Sequence, residues 1–321
     1  MKFGVCLPSF AQEDPDHKRP GLLKEYAQRI ERMGYDGIWV FEHVLPAPPR
    51  YAVSWLSPML MLSYAAAVTG RVDVGTTILI APMRHPVMLA KEMATLDQLA
   101  GGRFIFGYGL GWLERELVAL GCPMPERGRR TDESLSVIRR LFDEAKVSHE
   151  GRFWSFEDAI LDPRPAKRPQ MWSGGGWRSG EPMPKRVLNR IMKADGWIMG
   201  GHVTPQQGAD FWQQIKGVLE ADGRDLTHYP VAQCIWFYIV DTEDREKALA
   251  VQRQAYAPVM GPYRPWEQVV DHYLTGTPAD MVAGIEQRRK IGVNYIILHP
   301  VVNDLEQLDL LTDKILPHFR S

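Results

Sequence analysis

The sequence predicts an α/β fold, a (β/α)8 barrel with one domain over residues 1–321, from three observations. Eight short apolar segments alternate with helical regions. The apolar segments show no polar alternation, which is typical of parallel strands covered by helices. A length of 321 residues suits eight such units. An open doubly wound sheet is the alternative, but Pro8 and Ser9 follow the first strand where that fold carries a GxGxxG turn.

The elements are predicted from apolar runs and from the Gly and Pro residues that separate them. The strands are expected at residues 2–8, 37–41, 72–80, 103–108, 170–173, 195–199, 231–240 and 295–298. The helices are expected at residues 20–33, from 57 onward, and at 86–99, 113–120, 130–145, 183–193, 205–221, 242–251, 278–291 and 304–319. Thr131 or Asp132 is expected to cap the helix at 130–145. Insertions at the barrel mouth are expected at about 44–56, 146–169 (beginning with a small hairpin) and 252–277 (irregular).

Composition excludes several classes of protein. The formal net charge of -1 gives no electrostatic basis for binding nucleic acid or an anionic membrane surface. Cys6, Cys122 and Cys234 are far apart, which argues against a disulfide framework and favours a reducing, cytoplasmic location. We expect no signal peptide and no membrane span, since no apolar run approaches the ~20 residues that cross a bilayer.

Polar side chains cluster at the predicted carboxyl ends of the strands, where (β/α)8 barrels hold their active sites. Glu42 and His43 end the second strand, Thr76 and Thr77 lie on the third, and His299 ends the eighth. His43 could transfer a proton near neutral pH. A structural histidine hydrogen-bonded to Glu42 explains the position equally well.

Two glycine clusters follow strands four and five. In GGGWRS (residues 174–179), backbone amides, the next helix's dipole and the Arg178 and Ser179 side chains predict a phosphate site, with a flexible Gly turn as the alternative. The glycines of residues 101–112 fit either a flat ligand close to the backbone or a tight strand-to-helix turn. Trp112 and Trp177 each follow a glycine cluster, so they could flank a flat aromatic cofactor.

Other reactive groupings are missing from the sequence. No HxH or HExxH motif occurs, and His43, His202 and His299 belong to different strands, so no metal is expected. A serine hydrolase is excluded by the lack of a GxSxG elbow, and a phosphosugar aldolase or isomerase by the lack of Lys or paired carboxylates at strand ends. The segment Arg84-His85-Pro86 is typical of the start of a helix.

Five segments together carry a family resemblance. They are GYDGIWVFEHV (34–44), the long block 74–121, RGRRTDE (127–133), MWSGGGWRS (171–179) and MKADGW (192–197). With these segments in order along nearly the whole chain, the sequence resembles the bacterial-luciferase-like superfamily of flavin- and deazaflavin-dependent oxidoreductases. It is most similar to the branch termed F420-dependent.

The resemblance implies a luciferase-like barrel that holds reduced FMN or coenzyme F420 at its mouth, with His43 as the catalytic residue. It also implies a non-prolyl cis peptide at Thr77-Ile78. The cofactor-binding residues are then expected to be Glu42, Thr76, Thr77, Tyr108, Leu110, Gly111, Gly174, Gly175, Gly176, Trp177, Arg178 and Ser179. With FMN, O2 and a separate flavin reductase would be partners, and family members are often homodimers. Arg164, Lys167 and Arg168 could meet the acidic tail of F420, or belong to a solvated connector.

The pattern departs from the F420-dependent sugar-phosphate dehydrogenases. Those enzymes carry Asp-His after strand two and a catalytic glutamate where this chain has Trp112, which cannot transfer a proton. We therefore expect a different substrate, small and apolar or aromatic. The substrate residues are expected to be Tyr51, Trp55, Trp112 and His299, with Tyr256, Tyr263 and Trp266 nearby. The alternative is a non-catalytic flavin-binding protein on the same barrel.

Overall fold

The computed structural model describes residues 1–10, 16–48, 50–176 and 180–320, with Tyr263 described in its backbone only. The strands are β1 (Lys2–Cys6), β2 (Gly37–Val40), β3 (Asp73–Thr76), β4 (Leu79–Ile80), β5 (Phe104–Gly109), β6 (Val147–Glu150), β7 (Ser155–Ala159), β8 (Gln170–Gly174), β9 (Gly196–Met199), β10 (Val231–Phe237) and β11 (Tyr295–Pro300). The helices are α1 (Arg19–Arg32), α2 (Pro58–Val68), α3 (Pro86–Leu99), α4 (Glu114–Ala119), α5 (Arg127–Asp143), α6 (Lys185–Met192), α7 (Pro205–Ala221), α8 (Arg245–Met260), α9 (Trp266–His272), α10 (Pro278–Lys290) and α11 (Glu306–Leu310).

The main sheet is a closed parallel barrel. Its strands follow the order β3, β2, β1, β11, β10, β9, β8, β5, and β5 pairs back with β3 to close the ring. β4 continues β3 after the Thr77-Ile78 peptide, which is cis, so the described residues form an eight-stranded barrel with helices outside it. The (β/α)8 prediction is confirmed, as is the cis peptide. Because all the strands run the same way, their carboxyl ends meet at one mouth.

The lower part of the barrel is filled by an aromatic plug. Trp39 is fully buried, and its ring occupies the space where side chains on Gly4, Gly37 and Gly75 would lie. Its indole N–H donates to the Tyr295 hydroxyl at 3.2 Å. These strand glycines therefore make room for one large ring, which fills the barrel interior at this level.

The third predicted insertion is more regular than expected. α8 continues to Met260, well past residue 251, and α9 follows after a short 3₁₀ turn. The buried face of α8 explains the extension, because the Gln252 side-chain amide donates to the Tyr238 and Gly276 carbonyls and Tyr256 is buried. Tertiary packing therefore carries this helix through Pro258.

Three further details differ from the predictions or refine them. α5 begins at Arg127, so the expected cap at Thr131 or Asp132 was wrong, and both residues lie inside the helix. The Thr131 hydroxyl donates to the Arg127 carbonyl instead. The last helix is broken into α11, a π turn and a 3₁₀ turn. The small hairpin is confirmed as antiparallel β6–β7. Among the described residues, no helix is both long and apolar enough to span a bilayer.

Candidate active site

His43 lies at the mouth and is paired with a carboxylate from a distant helix. Its Nδ1 is 2.9 Å from Glu116 Oε2, and both side chains are about 1% exposed. The other Glu116 oxygen accepts the Leu45 amide N–H at 2.9 Å. α4 therefore fixes both the His43 ring and the chain that follows it.

The hydrogen bonds assign the two ring nitrogens different roles. An ionised carboxylate only accepts hydrogen bonds, so Nδ1 carries a proton that it donates to Glu116. His43 Nε2 is buried and has no partner within the described residues. Nε2 is therefore the nitrogen left to exchange a proton with a bound molecule.

Glu42 does not contact the neighbouring histidine in the way that sequence proximity suggested. Its buried carboxylate accepts the Ile80 amide N–H at 2.6 Å and an Arg84 N–H at 3.0 Å. The Glu42–Arg84 ion pair thus joins the end of β2 to the segment after β4. Arg84 has this role in addition to preceding helix α3.

Aromatic rings surround His43. Ring centroids of Phe41, Tyr51, Trp55 and Trp112 all lie between 5.2 and 5.8 Å from its imidazole. The insertion at 44–56 supplies two of them and is tied to α8, because the Ala52 amide donates to the Val259 carbonyl at 2.8 Å. The structure therefore brings Tyr51, Trp55 and Trp112 together with His43, and the Trp55 indole N–H is buried without a partner in the described chain.

His299 lies deeper in the same aromatic cluster. It is completely buried and its ring stacks on Trp236 at 3.7 Å. Its Nδ1 is 3.1 Å from the Pro300 carbonyl, which only accepts, so Nδ1 carries the proton and Nε2 is a bare acceptor. Burial lowers the pKa of His299 to about 3. His299 is therefore neutral near pH 7 and can accept a hydrogen bond but not supply a proton.

The two threonines of the third strand differ in what they offer. The Thr76 hydroxyl donates to the Gly107 carbonyl at 2.7 Å, so its proton is already used. The Thr77 hydroxyl is buried and lacks a partner among the described atoms. Thr77 therefore joins His43 Nε2 and the Trp55 N–H as unpaired polar groups on mouth residues.

The glycines around β5 make room for the third strand. An added Cβ on Gly109 would lie 2.7 Å from Ile78 Cδ1, and one on Gly174 would lie 2.5 Å from Ile78 Cγ2. A Cβ on Gly111 would meet Ile80 at 2.7 Å. Close packing against Ile78 and Ile80 therefore accounts for these glycines without a ligand. The glycines thereby place the partly exposed Ile78 side chain inside the barrel.

The loop after β8 is only partly described. The Gly175 amide donates to the Ile198 carbonyl at 3.1 Å, and the Gly175 carbonyl accepts the Trp197 indole N–H. Trp177, Arg178 and Ser179 lie outside the described residues. The helix that follows this loop, α6, begins at Lys185, two residues later than expected. Gly176 packs against Phe211, where a Cβ would lie 3.0 Å from the ring.

Two further residues expected to bind the cofactor, Tyr108 and Leu110, lie in surroundings that differ from those of His43. Tyr108 is fully buried and stacks on Phe106 at 5.5 Å, in the layer between barrel and helices. Burial raises the pKa of its hydroxyl. Leu110 lies just past β5 and is half-buried. Tyr108 is thus separated from the aromatic cluster around His43.

The basic connector at residues 164–168 lies at the other end of the barrel. It lines a cavity of ≈ 1150 Å³ together with Lys2, Asp73 and Asn294, which lie at the amino ends of strands. Arg168 forms an ion pair with Asp195 at 2.8 Å. Of the two roles that the sequence left open for this connector, contact with a cofactor tail at the mouth is ruled out, because the connector enters β8 at its amino end.

Sequence reasoning missed Glu116 and Arg84. A signal for Glu116 was present, since Leu113, Glu116 and Leu117 share one helical face, and a carboxylate on an apolar face needs a buried partner. Nothing in the sequence paired Arg84 with Glu42. Within the described ranges, no group of three or more His, Cys, Asp or Glu side chains could hold a metal ion.

Two curated relatives cover different shares of the chain. The F420-dependent glucose-6-phosphate dehydrogenase of Amycolatopsis mediterranei is 27% identical, over 94% of this chain and 95% of the relative. The 4-hydroxyprotoasukamycin monooxygenase of Streptomyces nodosus subsp. asukaensis is 35% identical, over 52% of this chain and 44% of the relative.

Two solved structures share the fold over the whole chain. A monooxygenase from Streptomyces bottropensis superposes with a TM-score of 0.80 at 23% identity, covering 100% of both chains. An F420-dependent secondary alcohol dehydrogenase superposes with a TM-score of 0.81 at 22% identity, covering 100% of this chain and 99% of the other. The family model described as luciferase-like monooxygenase matches residues 1–289. The chain therefore belongs to the luciferase-like monooxygenase family.

Proposed function

We propose that this protein is an oxidoreductase that uses coenzyme F420 or reduced FMN to transform a small organic substrate at the barrel mouth. The observation that carries the proposal is the His43–Glu116 pair, with Nδ1 held at 2.9 Å and Nε2 buried and unpartnered within the described chain. A buried, oriented imidazole with one nitrogen left open is suited to proton transfer.

The mouth residues fit a flavin or deazaflavin ring. His43 Nε2, Thr77 Oγ1 and Trp55 Nε1 are buried polar atoms without partners in the described structure. The edge of such a ring carries both donors and acceptors, which these atoms could meet, and the surrounding aromatic side chains suit its flat faces. Ile78 would lie behind the ring, and Gly176 with Trp177, Arg178 and Ser179 would hold its phosphate.

This chain's own groups would do three things during turnover. Glu116 would keep the proton on Nδ1 and stabilise the positive charge that His43 gains when Nε2 takes a proton from the substrate. The rings of Tyr51, Trp55 and Trp112 would exclude water from His43. His299, neutral at pH 7, would accept a hydrogen bond through Nε2.

The cofactor would determine the type of reaction. When bound, F420 would exchange hydride with the substrate, whereas reduced FMN with O2 would supply an oxygen atom. An FMN-dependent reaction would need a separate flavin reductase as partner. We also propose a homodimer as the working assembly.

The first experiment measures equilibrium binding of FMN and F420 side by side, by fluorescence quenching. Tight binding of one cofactor and not the other selects the reaction type. Binding of neither cofactor overturns the proposal. If a cofactor binds but no substrate of either reaction type is turned over, the alternative of a non-catalytic flavin-binding protein is favoured.

The second experiment tests the role of His43. We expect His43→Ala to lower turnover by about 10² to 10⁴-fold when the cofactor is saturating. The exposed Glu114→Gln variant, which changes a charge on α4 away from the pair, serves as control and should retain turnover. Unchanged turnover in His43→Ala would remove the assigned role.

A further inference from the structure

Two arginines at the mouth have no carboxylate partner in the part of the chain that the structure describes. Some half-buried or buried arginines are paired with an acid, as Arg84 is with Glu42, and others donate to neutral oxygens, as the buried Arg288 does. Arg50 and Arg264 are also half-buried, yet among the described residues neither forms an ion pair with an acid. Positive charges removed from water without a counter-charge are costly, so their placement requires an explanation.

The two guanidinium groups lie next to rings that contact His43. The Arg50 Cζ atom is 4.6 Å from the Trp112 ring centroid. The Arg264 Cζ atom is 5.8 Å from the Tyr51 ring centroid. Trp112 and Tyr51 are themselves 5.4 and 5.8 Å from the His43 ring. Each arginine is therefore one aromatic ring away from the proposed catalytic histidine.

Contacts hold Arg264 in a fixed position. Its Nη1 donates to the Tyr273 hydroxyl, and its Cζ lies 5.5 Å from the Tyr273 ring centroid. Tyr273 is buried and stacks on Tyr256 at 6.0 Å. A guanidinium group oriented in this way still has other N–H groups with no acidic partner in the described structure, and these can bind an oxyanion.

Nearby titratable groups respond to the positive charge. Burial lowers the pKa of His202, and the charges of Arg50, His272 and Arg264 lower it further in the same direction, to about 4. Burial raises the pKa of the Tyr51 hydroxyl, and Arg264 and Arg50 oppose that rise. Both arginines thus act on the same small region, which is consistent with uncompensated positive charge there.

We propose that Arg50 and Arg264 form a subsite that binds a carboxylate or phosphate group of the substrate, while the reacting part of the substrate lies against His43. This inference rests on the proposed function and narrows it, since it makes the substrate an organic anion with an apolar or aromatic body. The expected aromatic contacts to Tyr51 and Trp112 remain, and the arginines add a charged end.

The test measures ligand binding to the cofactor-free protein by quenching of tryptophan fluorescence. The probes are benzoate, inorganic phosphate and benzamide, a neutral analogue of benzoate with nearly the same shape. We expect benzoate to bind at least about 10-fold more tightly than benzamide, the ratio given by one charge-assisted hydrogen bond of about 1.4 kcal/mol. Phosphate should compete with benzoate.

Variants assign that preference to the two side chains. Arg50→Gln and Arg264→Gln should each abolish the preference for benzoate, whereas Arg50→Lys and Arg264→Lys, which keep the charge, should retain part of it. Arg253→Gln, on the exposed face of α8, removes the same charge elsewhere and should change nothing. Circular dichroism checks that each variant is folded.

Two results would overturn the inference. One is equal binding of benzoate and benzamide to the unaltered protein. The other is a loss of FMN or F420 affinity in the Gln variants with benzoate binding unchanged, because the arginines would then hold the cofactor's anionic tail. None of these measurements requires turnover, so they stay interpretable even if the redox proposal fails.

Discussion

His43 Nδ1 and Glu116 Oε2 are 2.9 Å apart, although 73 positions separate the two residues in the chain. The bond joins the end of β2 to α4 across the mouth. The second Glu116 oxygen is occupied by the Leu45 amide, so the carboxylate cannot turn away without losing another hydrogen bond. This geometry makes the tautomer of His43 depend on Glu116.

Glu116→Gln should lower turnover by about 10²-fold or more while leaving the fold intact. The Gln oxygen would still accept the Leu45 N–H, so its NH₂ group would face Nδ1 and move the ring proton to Nε2. Imidazole ¹⁵N chemical shifts should report the changed tautomer. Glu114→Gln on the exposed side of α4 is the control, and a variant with normal turnover and an unaltered tautomer would refute the role of Glu116.

Glu42→Gln should destabilise the protein by about 2 kcal/mol, less than the roughly 3–5 kcal/mol for breaking a fully buried ion pair. The Gln oxygen can still accept the Ile80 N–H, and the Arg84 side chain, which is 22% exposed, can reach water. Denaturant unfolding measures the loss. Glu25→Gln breaks the exposed Glu25–Arg32 pair and should cost under about 1 kcal/mol, and equal losses in the two variants would contradict the prediction.

Gly109→Ala should cost about 1–3 kcal/mol through overpacking, because its Cβ would lie 2.7 Å from Ile78 Cδ1 and 2.9 Å from Cγ1. Combining it with Ile78→Ala should remove most of that cost, since the colliding atoms are gone. Gly70→Ala, which meets no atom within 4 Å, should change the free energy of unfolding by no more than about 0.5 kcal/mol. Additive effects of Gly109→Ala and Ile78→Ala would show that the contact is absent.

Acid should destabilise the protein partly through His299, whose pKa is lowered by burial to about 3 from an ordinary 6.5. Between these values the unfolded chain binds a proton that the folded protein does not, so the free energy of unfolding falls as the pH falls through this window. The contribution approaches about 1.4 kcal/mol per pH unit. His299→Phe should show a shallower dependence below pH 6.5 than the unaltered protein, and identical slopes would disprove the contribution.

Much of the architecture follows from local sequence. Apolar strands bounded by Gly and Pro, such as GIWV of β2, bury both faces in any parallel barrel, so their pattern predicts the fold without knowledge of contacts. The same order of strands places His43, Thr77 and His299 at one mouth. These residues were recognisable as site candidates because position at a strand end is a property of the sequence.

Partners and distances were decided only by the tertiary structure. His43 pairs with Glu116 rather than with adjacent Glu42, because neighbouring residues at a strand end point in different directions and barrel closure brings α4 over β2. Gly109 was ambiguous for the same reason, since a glycine records that space is needed but not whether Ile78 or a ligand fills it. The sequence by itself determined the barrel and which end of it carries the chemistry, whereas long-range packing determined which side chains meet there.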